Sequence, residues 1–268
     1  MPKKEASIRI PESMRKIKNI IGIFSAKGGV GKSEISLNIA LNLQLKGYKV
    51  GLVDADIYGP SLPILLESSS DEIEIKDKNL LNPLVKKGIK FISMGLIAKN
   101  STPVIWRGPM VSGAVMQLLS QTNWGELDYL IIDTPPGTGD IQLTLLQKMP
   151  LDATIVITTP QEVSLADTKK GVEMIKKLEV PILGVIENMS FFEPKDSDKK
   201  YFLFGKNGGK KLAKECQLEF LSEIPFYEKD DFLLTENKDL FNDLCIKVVE
   251  KLKGVKKNSV QTIPQTNT

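Results

Sequence analysis

Ala26-Lys27-Gly28-Gly29-Val30-Gly31-Lys32-Ser33 is the stretch on which the chain turns. It follows an apolar run, Ile20-Ile21-Gly22-Ile23-Phe24, and precedes a segment from Ile35 to Leu45 that reads as an amphipathic helix. Strand, glycine loop and helix are what a phosphate cradle needs. Glycines let backbone N–H groups close around phosphate oxygens, and the helix that starts here aims its positive dipole end at the same anion. Lys32 can reach β- and γ-phosphates, and the Ser33 hydroxyl can ligate Mg²⁺. The usual phosphate-loop pattern opens with glycine six residues before its lysine, where this chain has Ala26. A dinucleotide fingerprint does not fit, because its third glycine would fall on Glu34. The candidate nucleotide contacts are Lys27, Gly28, Gly29, Val30, Gly31, Lys32, Ser33 and Glu34.

The helix that opens here runs from about Lys32 to Lys46, and Gly47 stops it. A second apolar strand follows, Lys49 to Val53, ending in Asp54-Ala55-Asp56. Two acids at i and i+2 share one face if the strand geometry continues. Beside a phosphate loop, one can hold Mg²⁺ through water and the other can orient an attacking water. Asp54 and Asp56 are the candidates for these two roles. The same pattern also makes an ordinary polar strand end. Asp128-Tyr129-Leu130-Ile131-Ile132-Asp133 is a second signal, an apolar strand closed by one acid that can serve Mg²⁺. In the Thr134-to-Asp140 loop that follows, Gly137 can present its N–H to a γ-phosphate.

The remainder alternates strands and helices. Gly88–Met94, Ala153–Thr158, Pro181–Ile186 and Leu218–Pro225 read as strands. A segment ending near Leu119, Ser164–Leu178, Gly205–Cys216 and Asn237–Lys253 read as helices, and Tyr201–Phe204 as a further short strand. Unbroken apolar strands alternating with helices predict an α/β fold, doubly wound, with a mostly parallel sheet covered by helices on both faces. Ligands then sit at the carboxyl ends of the strands. Residues 1–18 read as a flexible lead-in, 19–253 as one domain and 254–268 as a disordered tail. Glu67 to Asn82 reads as a polar surface excursion. Arg107 can meet a phosphate, a partner or only solvent. Asn188, at a strand's carboxyl end, can pair with an adenine edge or serve as a turn residue.

Composition narrows the chemistry. The chain has 268 residues, a net charge of +3 and mixed lysines and acids, so no nucleic-acid footprint is expected. No apolar run reaches membrane-span length, and no membrane partner is expected. Histidine is absent, which excludes histidine metal sites, histidine bases and Ser-His triads. The two cysteines, Cys216 and Cys245, make no disulfide framework and fit a reducing, cytoplasmic setting. Both fall on apolar helix stripes and read as buried thiols.

Lys27-Gly28-Gly29-Val30-Gly31-Lys32-Ser33 resembles the deviant Walker A motif of the P-loop NTPase group that includes the nitrogenase iron protein, ParA and MinD. Val53-Asp54-Ala55-Asp56-Ile57-Tyr58-Gly59-Pro60-Ser61, Trp106-Arg107-Gly108-Pro109-Met110, Pro135-Pro136-Gly137-Thr138-Gly139-Asp140, Thr159-Pro160-Gln161-Glu162-Val163 and Glu187-Asn188-Met189-Ser190 resemble blocks of its Mrp (ApbC-type) branch. The resemblance implies a homodimeric ATPase that carries iron–sulfur clusters to apoproteins or scaffold proteins, with ATP and Mg²⁺ as cofactors. It implies that Lys27 reaches the partner's phosphates, as an arginine finger does in trans. It also implies that Asp56 orients water, Ser33 and Asp133 serve Mg²⁺, and Asn188 reads adenine. A dimerisation switch of the ParA or MinD kind, acting through a protein partner without a cluster, is the alternative. After Ser190, where many members carry Cys-x-x-Cys, this chain has Glu193-Pro194-Lys195-Asp196, so no cluster ligands are identified.

Overall fold

The computed structural model describes residues 10–76, 80–99, 108–194, 196, 199–226 and 238–255. The lead-in through residue 9, the Trp106-Arg107 pair and the tail beyond Val255 lie outside the described residues. The first half contains β1 (Ile17–Ser25), α1 (Lys32–Leu45), β2 (Val50–Asp54), α2 (Leu62–Leu65), β3 (Ile75–Lys76), β4 (Leu80–Leu81), β5 (Leu84–Lys86), β6 (Ile89–Ser93) and α3 (Met94–Lys99). The second half contains α4 (Gly108–Gln121), β7 (Leu127–Asp133), α5 (Asp140–Lys148), β8 (Ala153–Thr158), α6 (Glu162–Lys177), β9 (Ile182–Glu187), α7 (Gly208–Glu215), β10 (Phe220–Glu223) and α8 (Lys238–Gly254).

The main sheet has eight strands in the order β10-β9-β8-β1-β7-β2-β6-β5. Every pairing in it is parallel except that of β5 with β6. The expected doubly wound α/β sheet is therefore present, with one short antiparallel edge. Alternate residues of each strand face opposite layers. Ile21 and Ile23 pack with α1 and α8, whereas Ile20 and Phe24 pack with residues of α4, α5, α6 and α7. Two cores thus sandwich the sheet.

Helix α1 departs from the amphipathic expectation. It is buried nearly all round, from Ile35 to Leu43, because α8 covers the side turned away from the sheet. Its asparagines survive burial by bonding one turn back: Asn38 Nδ2 donates to the Glu34 carbonyl and Asn42 Nδ2 to the Asn38 carbonyl, each at 2.9 Å.

Strand β1 begins at Ile17, two residues before the expected start. A 3₁₀ turn, Glu12–Met14, precedes it, and Met14 is buried against α4 residues. Ser13 Oγ donates to the Ser120 carbonyl at 2.8 Å, so this part of the lead-in is docked. The Tyr201–Phe204 strand is reduced to a single bridge between Tyr201 and Phe192. Among the described residues, no helix is long and apolar enough to cross a membrane.

Candidate nucleotide site

The strand order puts β7 between β1 and β2, and the register decides the site. Asp133, the last residue of β7, stands opposite Ile23 on one side and Asp54 on the other. Asp54 in turn stands opposite Ser93 at the end of β6. Carboxyl ends of parallel strands therefore deliver two acids side by side, directly behind the loop that joins β1 to α1.

Lys32, Ser33 and Ser36 converge on Asp133 from the first turn of α1. Lys32 Nζ lies 2.7 Å from Asp133 Oδ1, with the two side chains only 6% and 0% exposed. Ser33 Oγ donates to Oδ2 at 2.6 Å, and Ser36 Oγ donates to Oδ1 at 2.8 Å. Positions i, i+1 and i+4 share one side of a helix, so this grouping follows from α1 starting at Lys32. Ser36 is the member the sequence reading passed over, although its spacing from Lys32 marks it.

Asp54 is buried and accepts from Ser93 Oγ at 3.1 Å and from the Asp56 N–H at 3.2 Å. Burial, reinforced by the negative charge of Asp133, pushes its carboxyl up to about 8. The strand geometry does not continue to Asp56. The chain turns there, and Asp56 Oδ1 accepts the N–H groups of Tyr58 and Gly59, both at 3.1 Å. Asp54 therefore faces inward, while Asp56 is half-exposed and lines the cleft.

Serine and carboxylate oxygens are the hard donors that Mg²⁺ takes, with phosphate and water completing the shell. Ser33 and Asp133, with Asp54 adjacent, fit that ion. Among the described residues, no group of three or more acids or thiols forms an all-protein metal cage.

The phosphate loop itself encloses a cleft of about 360 Å³, lined among others by Lys27, Gly29, Lys32, Ser33, Glu34, Asp56 and Met189. Ser25 Oγ donates to the Lys27 carbonyl at 2.9 Å and pins the loop's entry. Gly31 is left-handed, with φ of 78°, and a Cβ there would collide with the Asn188 amide nitrogen. That amide donates to the Val30 carbonyl at 2.9 Å and ties the end of β9 to the loop. Asn188 is 2% exposed, and its Oδ1 has no hydrogen-bond partner among the described residues. A buried acceptor left in this way calls for a donor from water or a ligand.

Two expected residues have other partners in this structure. Lys27 Nζ pairs with Asp167 Oδ2 of α6 at 3.3 Å, away from the Asp133 cluster. Hydrogen bonds from Lys170 and Lys27 hold the Asp167 carboxyl below the usual range. Gly137 N–H donates to the Ser25 carbonyl at 2.9 Å, and Thr134 Oγ1 donates to the Ile23 carbonyl at 2.7 Å. The loop after β7 is thus tied to β1, so Gly137 presents no free N–H here. A larger hollow, about 560 Å³, lies between α6 and α7. Among the described residues it contains none of the expected site residues, most of which line the smaller cleft instead.

The sequence model of "ParA: NUBPL iron-transfer P-loop NTPase" matches residues 16–258. The chain belongs to this family. The iron–sulfur cluster carrier protein of Methanocaldococcus jannaschii is 46% identical over 268 residues, covering 96% of this chain and 92% of that protein. The carrier protein of Synechocystis sp. is 46% identical over 226 residues, covering 83% of this chain and 64% of its own length. A nucleotide-binding protein of Archaeoglobus fulgidus, solved in complex with ADP, superposes with a TM-score of 0.72 at 34% identity, covering 87% of this chain and 90% of that one. The iron-transfer P-loop NTPase family thus agrees with the phosphate loop and with the acids at the ends of β2 and β7.

Cysteines separate this member from a simple cluster clasp. Cys216 packs in the core on the α7 side of the sheet and Cys245 in the core on the α8 side. Burial raises the Cys216 thiol and pushes Cys245 up to about 12. The two thiols of one chain cannot meet on a single cluster.

Proposed function

We propose that this protein is an ATP-hydrolysing carrier that binds an iron–sulfur cluster and passes it to apoproteins, working as a homodimer. The observation that carries the nucleotide half is the buried convergence of Lys32, Ser33 and Ser36 on Asp133 behind a left-handed glycine loop. Backbone N–H groups of the loop bind the triphosphate, and Lys32 exchanges Asp133 for its β- and γ-oxygens. Ser33 and Asp133 hold Mg²⁺, with Asp54 beside them. Bound Mg²⁺ neutralises phosphate charge. Asp56, at the rim of the cleft, orients the water that attacks the γ-phosphorus, giving ADP and phosphate. Asn188 meets the base, and Lys27 leaves Asp167 to reach the partner subunit's phosphates. Gly137 turns its N–H from Ser25 to the γ-phosphate. Intrinsic turnover is slow and rises with a partner, as in switch-type NTPases.

The cluster half is supported by the names of relatives that align with most of this chain. A second reading, an ATP-gated dimerisation switch without cargo, is favoured by one observation, the burial of both thiols on opposite faces of the sheet. Iron–sulfur clusters are held by thiolates. Anaerobic reconstitution with iron and sulfide, followed by an absorption spectrum and iron analysis, separates the two. About one cluster per dimer, transferable to an apo-ferredoxin, is the outcome for a carrier. No loading in a protein that still hydrolyses ATP leaves the switch.

A further inference from the structure

We propose that Ser93 is a positioning residue for ATP hydrolysis: acting through the Asp54 carboxylate, and with Gly95 seated against Pro60, the turn after β6 fixes the loop over residues 55–61 and so aims Asp56 at the attacking water. The proposal rests on the hydrolytic reading above and adds to it the element that orients the water-holding residue.

Three observations carry it. Ser93 ends β6 opposite Asp54 and is wholly buried. Its Oγ accepts the Gly95 N–H at 3.0 Å and gives its one hydrogen to Asp54 Oδ2 at 3.1 Å. The other oxygen, Asp54 Oδ1, accepts the Asp56 N–H at 3.2 Å, so this carboxylate bridges β6 to the loop. Next, the N–H groups of Tyr58 and Gly59 both go to Asp56 Oδ1. Among the described residues no hydrogen bond reaches Asp56 Oδ2, which leaves that oxygen for a water in the cleft that Asp56 lines. Finally, the far end of the loop rests on Gly95. A Cβ there would stand 2.5 Å from Pro60 Cβ and Cγ. One turn thus holds the loop near both its ends.

Asp56 is half-exposed, so packing alone does not fix it. A group that orients water works only near the attack geometry, and a shift of about 1 Å can cost about 100-fold in rate. Strand β6 lies inside the sheet and lends the loop its rigidity. Phosphate binding uses the loop after β1 and Lys32, to which Ser93 makes no hydrogen bond. The expected signature is a loss of rate without a loss of affinity.

The test measures phosphate release, displacement of a fluorescent ATP analogue and amide exchange, with Mg²⁺, on the full chain as wild type, Ser93→Ala and Gly95→Ala. In Ser93→Ala, hydrolysis per folded molecule is expected to fall about tenfold or more while ATP affinity stays within about threefold. Exchange is expected to speed at Tyr58 and Gly59 and to stay unchanged in α1. Gly95→Ala keeps the Ser93 hydroxyl and displaces Pro60. It is expected to show the same loss of rate, and it tests the loop even where loss of the buried hydroxyl unfolds the chain. A wild-type rate in either folded variant overturns the proposal. So does an equal loss of ATP affinity, or a raised Mg²⁺ requirement, which would place Ser93 behind the metal instead of the water. Faster exchange spread through the whole sheet overturns it too, as the mark of a merely structural role. Wild type that binds ATP without hydrolysing it overturns the hydrolytic reading itself, whereas hydrolysis that ignores Ser93 and Gly95 overturns only this proposal.

Discussion

Lys32 and Asp133 hold each other at 2.7 Å where almost no solvent reaches. Removing one partner of such a pair strands the other charge in a medium that cannot solvate it. Lys32→Ala is therefore expected to lose nucleotide binding and also about 3–5 kcal/mol of stability, read by urea unfolding. Lys32→Met with Asp133→Asn is expected to restore most of the stability and none of the binding, which separates the two roles. Asp54 gives a pH signature in the metal-free protein. Its folded carboxyl is raised to about 8, above the ordinary value, so the folded state keeps a proton that the unfolded chain gives up. Stability is then expected to fall as pH rises from about 4 to 8, and Asp54→Asn to flatten that slope in denaturant titrations at pH 5 and pH 8.

Elements transmit what the residues begin. Glu187 ends β9, accepts from Ser190 Oγ and from the N–H of Gly209 in the first turn of α7, and so anchors that helix beside Asn188. Glu187→Ala is expected to cost about 1–3 kcal/mol and to speed amide exchange at Gly209. Trp124, fully buried with its indole N–H on the Leu119 carbonyl at 3.2 Å, closes the layer between α4 and β7. Trp124→Ala is expected to cost about 3–5 kcal/mol in the same unfolding assay. Asp133 and the phosphate loop are legible in the sequence because an apolar strand with a polar tip and a glycine-rich turn are local patterns. The adjacency of Asp54 to Asp133 is not, since it depends on β7 entering between β1 and β2. The wholly buried α1 escapes a local reading for the same reason, because its outer cover, α8, comes from the far end of the chain. Glu187 looks like any strand-end acid until α7 is placed over it.

At the scale of the whole molecule, the position of Lys27 sets an expectation for assembly. Its ammonium is held by Asp167 on the surface of the same chain, outside the Asp133 cluster. Lys27→Ala is expected to bind ATP within about threefold of wild type while losing hydrolysis and ATP-dependent dimerisation. Sedimentation with and without Mg-ATP reads the second effect. Equal loss of ATP affinity would place Lys27 in its own chain's cradle instead. The link between Gly137 and Ser25 runs from one peptide group to another, so side-chain substitution cannot delete either of its atoms. Alanine at Ser25 therefore leaves this brace intact, and alanine at Gly137, where φ is 111°, strains the backbone and does not report on the bond alone. Replacing the Gly137 amide by an ester through chemical ligation removes its hydrogen and should loosen the loop while leaving every side chain in place.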